Sequence, residues 1–175
     1  MRAIVIYNSQ TGFTRKYAEW ISEATGCECS DIKKASKINL LEYDAIVFGS
    51  WCHEGKIKKI EWFKKRLPEL SEAGKKIFVY FVGASPAESP EVSVTMDINF
   101  TAAQKSKIKI LYCPGGLNYE NMGFISKLAM KKILIEMKAK KNPTENDIRI
   151  INTLSHSYDC SDKKYIEPLI NEIII

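Results

Sequence analysis

Residues 9–14, Ser-Gln-Thr-Gly-Phe-Thr, gather three hydroxyls and a glycine directly after the apolar run Ala3-Ile4-Val5-Ile6-Tyr7. Tyr17, Ala18, Trp20, Ile21 and Ala24 follow at helical spacing. A strand, a short hydroxyl-and-glycine loop and a helix start make an anion site. The first-turn N–H groups lack intrahelical acceptors there, and the helix dipole favours negative charge. Ser9, Thr11 and Thr14 add hydroxyl donors, Gly12 lets the backbone close around the anion, and Gln10 and Phe13 complete the loop. The loop contains no lysine, so it suits a resident cofactor phosphate held by neutral donors rather than a triphosphate awaiting transfer. Helix capping alone also places Ser and Thr at such positions. The rest of the chain has to decide between the two.

Two further clusters carry chemistry. Gly49-Ser50-Trp51-Cys52-His53-Glu54-Gly55 follows the apolar run Ala45-Ile46-Val47-Phe48, and Gly83-Ala84-Ser85-Pro86 follows Ile77–Val82. An indole there can stack on a planar heterocycle, while peptide groups between glycines bond to a ring edge. The small residues Gly83, Ala84 and Ser85 suit the other side of such a ring. His53 is either a proton donor beside that ring or a solvated loop histidine, and Cys52 reads as a packed thiol.

Stepping outward, hydrophobic periodicity gives an alternating β/α order. It predicts strands near residues 2–7, 27–32, 44–49, 77–82 and 107–112, and helices near 14–25, 57–67 and 91–104. Ile57, Ile60, Phe63 and Leu67 form the stripe of the second helix, and Trp20 and Trp62 fall on core-facing stripes. Nearly continuous apolar strands fit a parallel sheet buried on both faces. The expected fold class is α/β, an open doubly wound five-stranded parallel sheet, whose ligand sits beyond the strands' carboxyl ends where strand order reverses. All three clusters lie at carboxyl ends.

Length fits one domain, residues 1–175, with an insertion at 114–160 between the fifth strand and a last helix capped by Ser161 and carrying Tyr165, Ile166, Leu169 and Ile170. Cys113–Tyr119 opens the insertion as a turn-rich stretch, and a helix with apolar stripe Ile125, Leu128, Ala129, Ile133 and Met137 follows. Asn142-Pro143 ends that helix and Thr144–Asp147 caps another. Between Gly123 and Lys141 six lysines oppose Glu136 alone, a local excess equal to the whole net charge of +5. Localised basicity of this kind is not a nucleic-acid-binding signature. The 124–141 helix reads either as a solvated face packed by its apolar stripe on the sheet or as a peripheral membrane contact. Five cysteines without CxxC spacing, no cleavage-type leader and no 18-residue uncharged apolar stretch predict a reduced cytoplasmic protein. Two histidines without metal-ligand spacing argue against a metal site.

With Tyr7, Ser9, Thr11-Gly12, Thr14, Ala18 and Ile21, residues 2–112 resemble the flavodoxin family. The resemblance implies a flavodoxin-like fold with FMN as cofactor. Its phosphate would lie in the 9–14 loop and its isoalloxazine between the loops at 50–55 and 83–89. Thr14-Arg15-x-x-Ala18, Gly116-Leu117-x-Tyr119 and the Phe124–Lys132 helix are similar to the branch that includes menaquinone-dependent protoporphyrinogen dehydrogenases. That likeness implies an oxidoreductase near a quinone pool, although Gly115-Gly116 and Trp51–Glu54 depart from the porphyrinogen enzyme. Partners would be a redox protein or a small-molecule or quinone substrate. A domain that has lost its flavin and serves as an interaction module is the remaining alternative. Other uses of the fold fail on residues. The receiver aspartates, the Cys-x5-Arg phosphatase loop, Walker A and GxGxxG are all missing.

Overall fold

Alternation along the strands sends successive side chains to opposite faces of the sheet and so divides the core in two. Val5, Val47, Phe78, Tyr80 and Cys113 meet Tyr17, Ala18, Ile21, Ile166 and Leu169 on one face. Ile4, Ile6, Ile46, Phe48, Val79 and Phe81 meet Ile60, Phe63, Leu67, Leu70 and Phe100 on the other. The computed structural model describes residues 1–174, with side-chain detail for all of these except Ile125, Asn146, Arg149, Ile150 and Thr153.

The elements run β1 (Ala3–Asn8), α1 (Phe13–Thr25), β2 (Glu28–Asp31), β3 (Ala45–His53), β4 (Lys56–Ile57), α2 (Ile60–Lys64), α3 (Leu67–Glu72) and β5 (Lys76–Gly83). Then come α4 (Pro90–Asn99), α5 (Ala102–Lys105), β6 (Lys109–Pro114), β7 (Gly116–Leu117), α6 (Phe124–Lys138), α7 (Glu145–Leu154), β8 (Tyr158–Asp159) and α8 (Glu167–Ile174). The parallel strands lie in the order β2-β1-β3-β5-β6, so the chain reverses its lateral direction between β1 and β3. That is the doubly wound order expected from the sequence, with the switch-point crevice at the carboxyl ends of β1 and β3.

Several local expectations are corrected. Strand β3 runs on to His53 instead of ending at Gly49, and turns back through Glu54-Gly55 into β4. Both turn residues have positive φ (50° and 72°), the two-residue hairpin geometry whose twist matches its flanking strands. The 57–67 helix is therefore split: Ile57 belongs to β4, and α2 and α3 follow as two short helices. Its stripe is buried as expected, with Ile57, Ile60, Phe63 and Leu67 all in the core. Trp20 and Trp62 pack half-buried against the two core clusters. The 91–104 segment is also two helices, because Thr101 starts α5 with its own capping box to Gln104. Before α8 the capping side chain is Asp162, which accepts from the Lys164 N–H, not Ser161.

The 114–160 insertion is not purely helical. Strands β7 and β8 close it as a two-stranded ribbon, pairing Gly116 with Asp159 and Leu117 with Tyr158. A Cβ on Gly116 would stand 2.1 Å from the Tyr158 carbonyl oxygen, so only glycine allows this pairing. Among the described residues no helix is long and apolar enough to cross a membrane.

Candidate functional site

Local sequence builds the first loop much as its residue types suggest. Strand β1 ends at Asn8, and Gly12 adopts φ +103° as the N-cap of α1, a conformation that strains any residue with a Cβ. No side chain caps the first turn. The N–H groups that the helix cannot satisfy there are left for another acceptor. Ser9 Oγ is buried and has no hydrogen-bond partner among the described residues. A shielded hydroxyl without a partner costs about 1–3 kcal/mol, so an anion with oxygens to share fits this loop. Its charge would be met by neutral donors, since Arg15, the nearest cation in sequence, is engaged by Glu19 at 2.7 Å.

The loop is held from below. Tyr80 is fully buried and donates its hydroxyl to the Thr14 carbonyl at 2.9 Å. Burial pushes that phenol well up, so it remains a donor. Its ring occupies the space beside Gly49, its register partner, where a Cβ would lie 2.0 Å from the ring. Tyr17, raised likewise by burial, donates to the Pro114 carbonyl at 2.7 Å and accepts from the Asp162 N–H.

Above the switch point lies a cleft of about 440 Å³, within the size range of small-molecule sites. Gln10, Thr11, Phe13 and Thr14 form one end, and Trp51, Cys52, His53, Gly83 and Ala84 form its side. An adjoining hollow of about 310 Å³ shares Cys52, His53, Gly83 and Ala84 and adds Glu54, Gly55 and Ser85. Lys58 Nζ sits 5.4 Å from the Trp51 ring centroid, a cation–π contact that steadies the indole. Tyr112 donates to the Ser85 carbonyl at 2.6 Å and so fixes the loop after β5.

Ser9, Gly12 and Ser50 line neither hollow, although Ser9 and Gly12 belong to the loop at the end of the cleft; Ser50 is held elsewhere. It is fully buried, donates to the Lys58 carbonyl at 2.6 Å and accepts from the Asn8 amide at 3.0 Å. Its hydroxyl fastens the β3–β4 hairpin to β1 and does not face the cleft. Glu54, Gly55 and Ser85 line only the adjoining hollow. His53 is largely exposed, its side chain 63% accessible, while burial raises the Cys52 thiol and leaves it a poor nucleophile.

The insertion supplies the roof of the cleft. Leu117, Met122, Ser126, Ala129, Met130 and Ile133 line the cleft opposite the sheet. Ser126, Ala129, Met130 and Ile133 recur at i, i+3, i+4 and i+7, a helical face distinct from the stripe expected at Ile125, Leu128, Ala129, Ile133 and Met137. Only Ala129 and Ile133 of the expected stripe lie on it; Leu128 is exposed, and Ile125 falls outside the described side chains. The roof is tied to the first loop through Asn118, whose amide donates to the Thr11 carbonyl at 3.3 Å. Tyr119 donates to the Leu154 carbonyl and so holds the turn before α6 to α7.

No curated protein matches the sequence. Among solved structures the chain is similar to oxidised flavodoxin 2 from Bacillus cereus, at 21% identity and a TM-score of 0.48 over 79% of this chain and 99% of that one. It is similar to the Trp repressor binding protein from Bacillus subtilis, at 14% identity and 0.48 over 88% and 93% of the two chains. A third likeness is to a flavoprotein in complex with FMN from Lactobacillus acidophilus, at 16% identity and 0.43 over 65% and 91%. The model of the flavodoxin domain matches residues 4–147, a stretch that runs from β1 into α7. This chain belongs to the flavodoxin-domain family.

Proposed function

We propose that the chain is an FMN-dependent oxidoreductase acting on a small molecule, a quinone-type acceptor among the candidates. The observation that carries the cofactor is Ser9: a buried hydroxyl with no partner beside an uncapped helix start. In this reading Ser9, Thr11, Thr14 and the first-turn amides hold the phosphate. Trp51, His53, Gly83 and Ala84 border the ring, with Glu54, Gly55 and Ser85 on the adjoining side. When bound, the isoalloxazine supplies reversible electron transfer. The protein's own residues orient it, shield it and leave one approach open.

The roof favours an enzyme over a carrier. A carrier passes electrons through an exposed ring edge to a docked protein, and the flavodoxin resemblance on its own would allow that. Here Met122 and Met130, half-buried, and Ile133, 44% exposed, line the cleft opposite the sheet, an apolar setting for a planar substrate above the ring. In this reading His53, at the rim and open to solvent, would deliver a proton to a bound substrate. A quinone-linked dehydrogenase of the protoporphyrinogen type is one form of this enzyme.

Two readouts test the proposal. Purified protein should be yellow, or should quench FMN fluorescence on mixing; a colourless protein that leaves FMN unquenched returns the fold to an interaction module. Loaded and reduced, it should be reoxidised faster by a soluble quinone than by a redox protein such as a cytochrome. The reverse order makes it a carrier.

A further inference from the structure

Helix α6 has two apolar faces, and the cleft uses only one. On the cleft face Ser126 and Met130 are half-buried, while Ala129 is exposed and Ile133 is 44% exposed. On the opposite side Phe124, Leu128 and Ile135 are 80%, 59% and 60% exposed. At 100° per residue these three fall within a 40° sector and form a ridge roughly 16 Å long. Lys127, Lys131 and Lys138 flank the ridge on one side and Lys132 on the other, all exposed. Lys140 and Lys141 extend the positive charge past the helix end, with Lys140 also bonded to Asp147 at 2.7 Å. A solvated charged face has no reason to keep a phenylalanine, a leucine and an isoleucine in water at its centre. An apolar ridge bordered by lysines is instead the pattern of a helix lying in a bilayer interface, its apolar side among acyl chains and its ammonium groups at headgroup level.

We propose that the outer ridge of α6 seats the protein on an anionic lipid bilayer. Charge complementarity selects this occupant. The segment from Gly123 to Lys141 holds six lysines against Glu136; residues 56–66 carry an equal excess, but only on α6 do the lysines border an exposed apolar ridge, so the two attractions to an anionic bilayer coincide there. A second copy of the chain would bring the same lysines against themselves. Docked this way, the roof of the cleft is the membrane-facing element, with α6 between the bilayer and the site. The docking itself does not depend on which cofactor the cleft holds.

Co-sedimentation with phosphatidylcholine vesicles, with and without phosphatidylglycerol, tests this on the full chain. Binding is expected only with phosphatidylglycerol at low salt, and is released as salt screens the lysines. A Phe124→Ser, Leu128→Ser, Ile135→Ser variant should lose more than tenfold in partitioning while its FMN titration is unchanged, because none of the three lines the cleft. Lys131→Glu with Lys132→Glu should lose binding with the ridge intact. Failure of the wild type to bind anionic vesicles at low salt overturns the proposal. So does ridge-independent binding, or a dimer in light scattering that the serine variant dissolves, which would make the ridge an interface between copies. Loss of FMN binding with vesicle binding retained would instead strike the cofactor reading alone.

Discussion

In the parallel sheet Val5, Ile46, Phe48 and Val79 are wholly shielded from water, whereas α6, across the cleft from them, leaves Phe124, Leu128 and Ile135 more than half exposed. Floor and roof enclose one site under opposite constraints. The floor is fixed by packing on both faces, so its hydroxyls and glycines hold their positions to within the width of a side chain. Contacts between α6 and α7, the β7–β8 ribbon and a few hydrogen bonds to the floor fix the roof. A rigid binding floor under a thinly attached cover is how a cleft can combine tight cofactor holding with substrate entry.

One added methyl group in each region sharpens that contrast. Gly49→Ala puts a Cβ into the buried Tyr80 ring and should cost on the order of 3 kcal/mol, seen as a fall in melting temperature of roughly 6–12 °C. Thr14 would lose its support at the same time. Ser9→Ala should leave the apo protein as stable or more so, since it deletes a buried group with no partner, yet weaken FMN roughly tenfold or more. Paired melting and titration curves would check both halves of that statement. Gly116→Ala should part β7 from β8 with little change in global melting, read instead as faster proteolysis between residues 118 and 156.

The smallest effect belongs to acid pH. Hydrogen bonds from Lys140 and then from Thr144 hold the Asp147 carboxyl down at about 2. A group depressed in the folded state stabilises it above the unfolded value of about 4, and that support fades as pH falls toward 2. Amide protection at the start of α7 should therefore drop in this window while the sheet amides keep theirs. Asp147→Asn should abolish the step.

Much of the floor was legible because its signals are local. Ser9–Thr14 sits where a strand pattern meets a helix pattern, and alternation along 3–7, 45–48 and 77–82 names the sheet. The hydrogen bonds of Ser50 were not legible, because its partners, the Lys58 carbonyl and Asn8, come together only through the Glu54-Gly55 hairpin and the β1–β3 register. The roof was legible only in part. One apolar stripe was sought on α6, to pack on the sheet or to lie on a membrane, but the helix carries a cleft face and an outer ridge on different sides. Periodicity shows that a face is apolar without naming what covers it.

The central claim is that the 9–14 loop grips a phosphate, and comparing FMN with riboflavin tests it most directly, since the two differ only in that group. Titrated into the apo protein with flavin fluorescence as the signal, FMN should bind at least about a hundredfold more tightly than riboflavin, with most of the difference gone in a Ser9→Ala, Thr11→Ala, Thr14→Ala variant. Equal affinity for the two flavins, or a preference that survives those substitutions, would contradict the account.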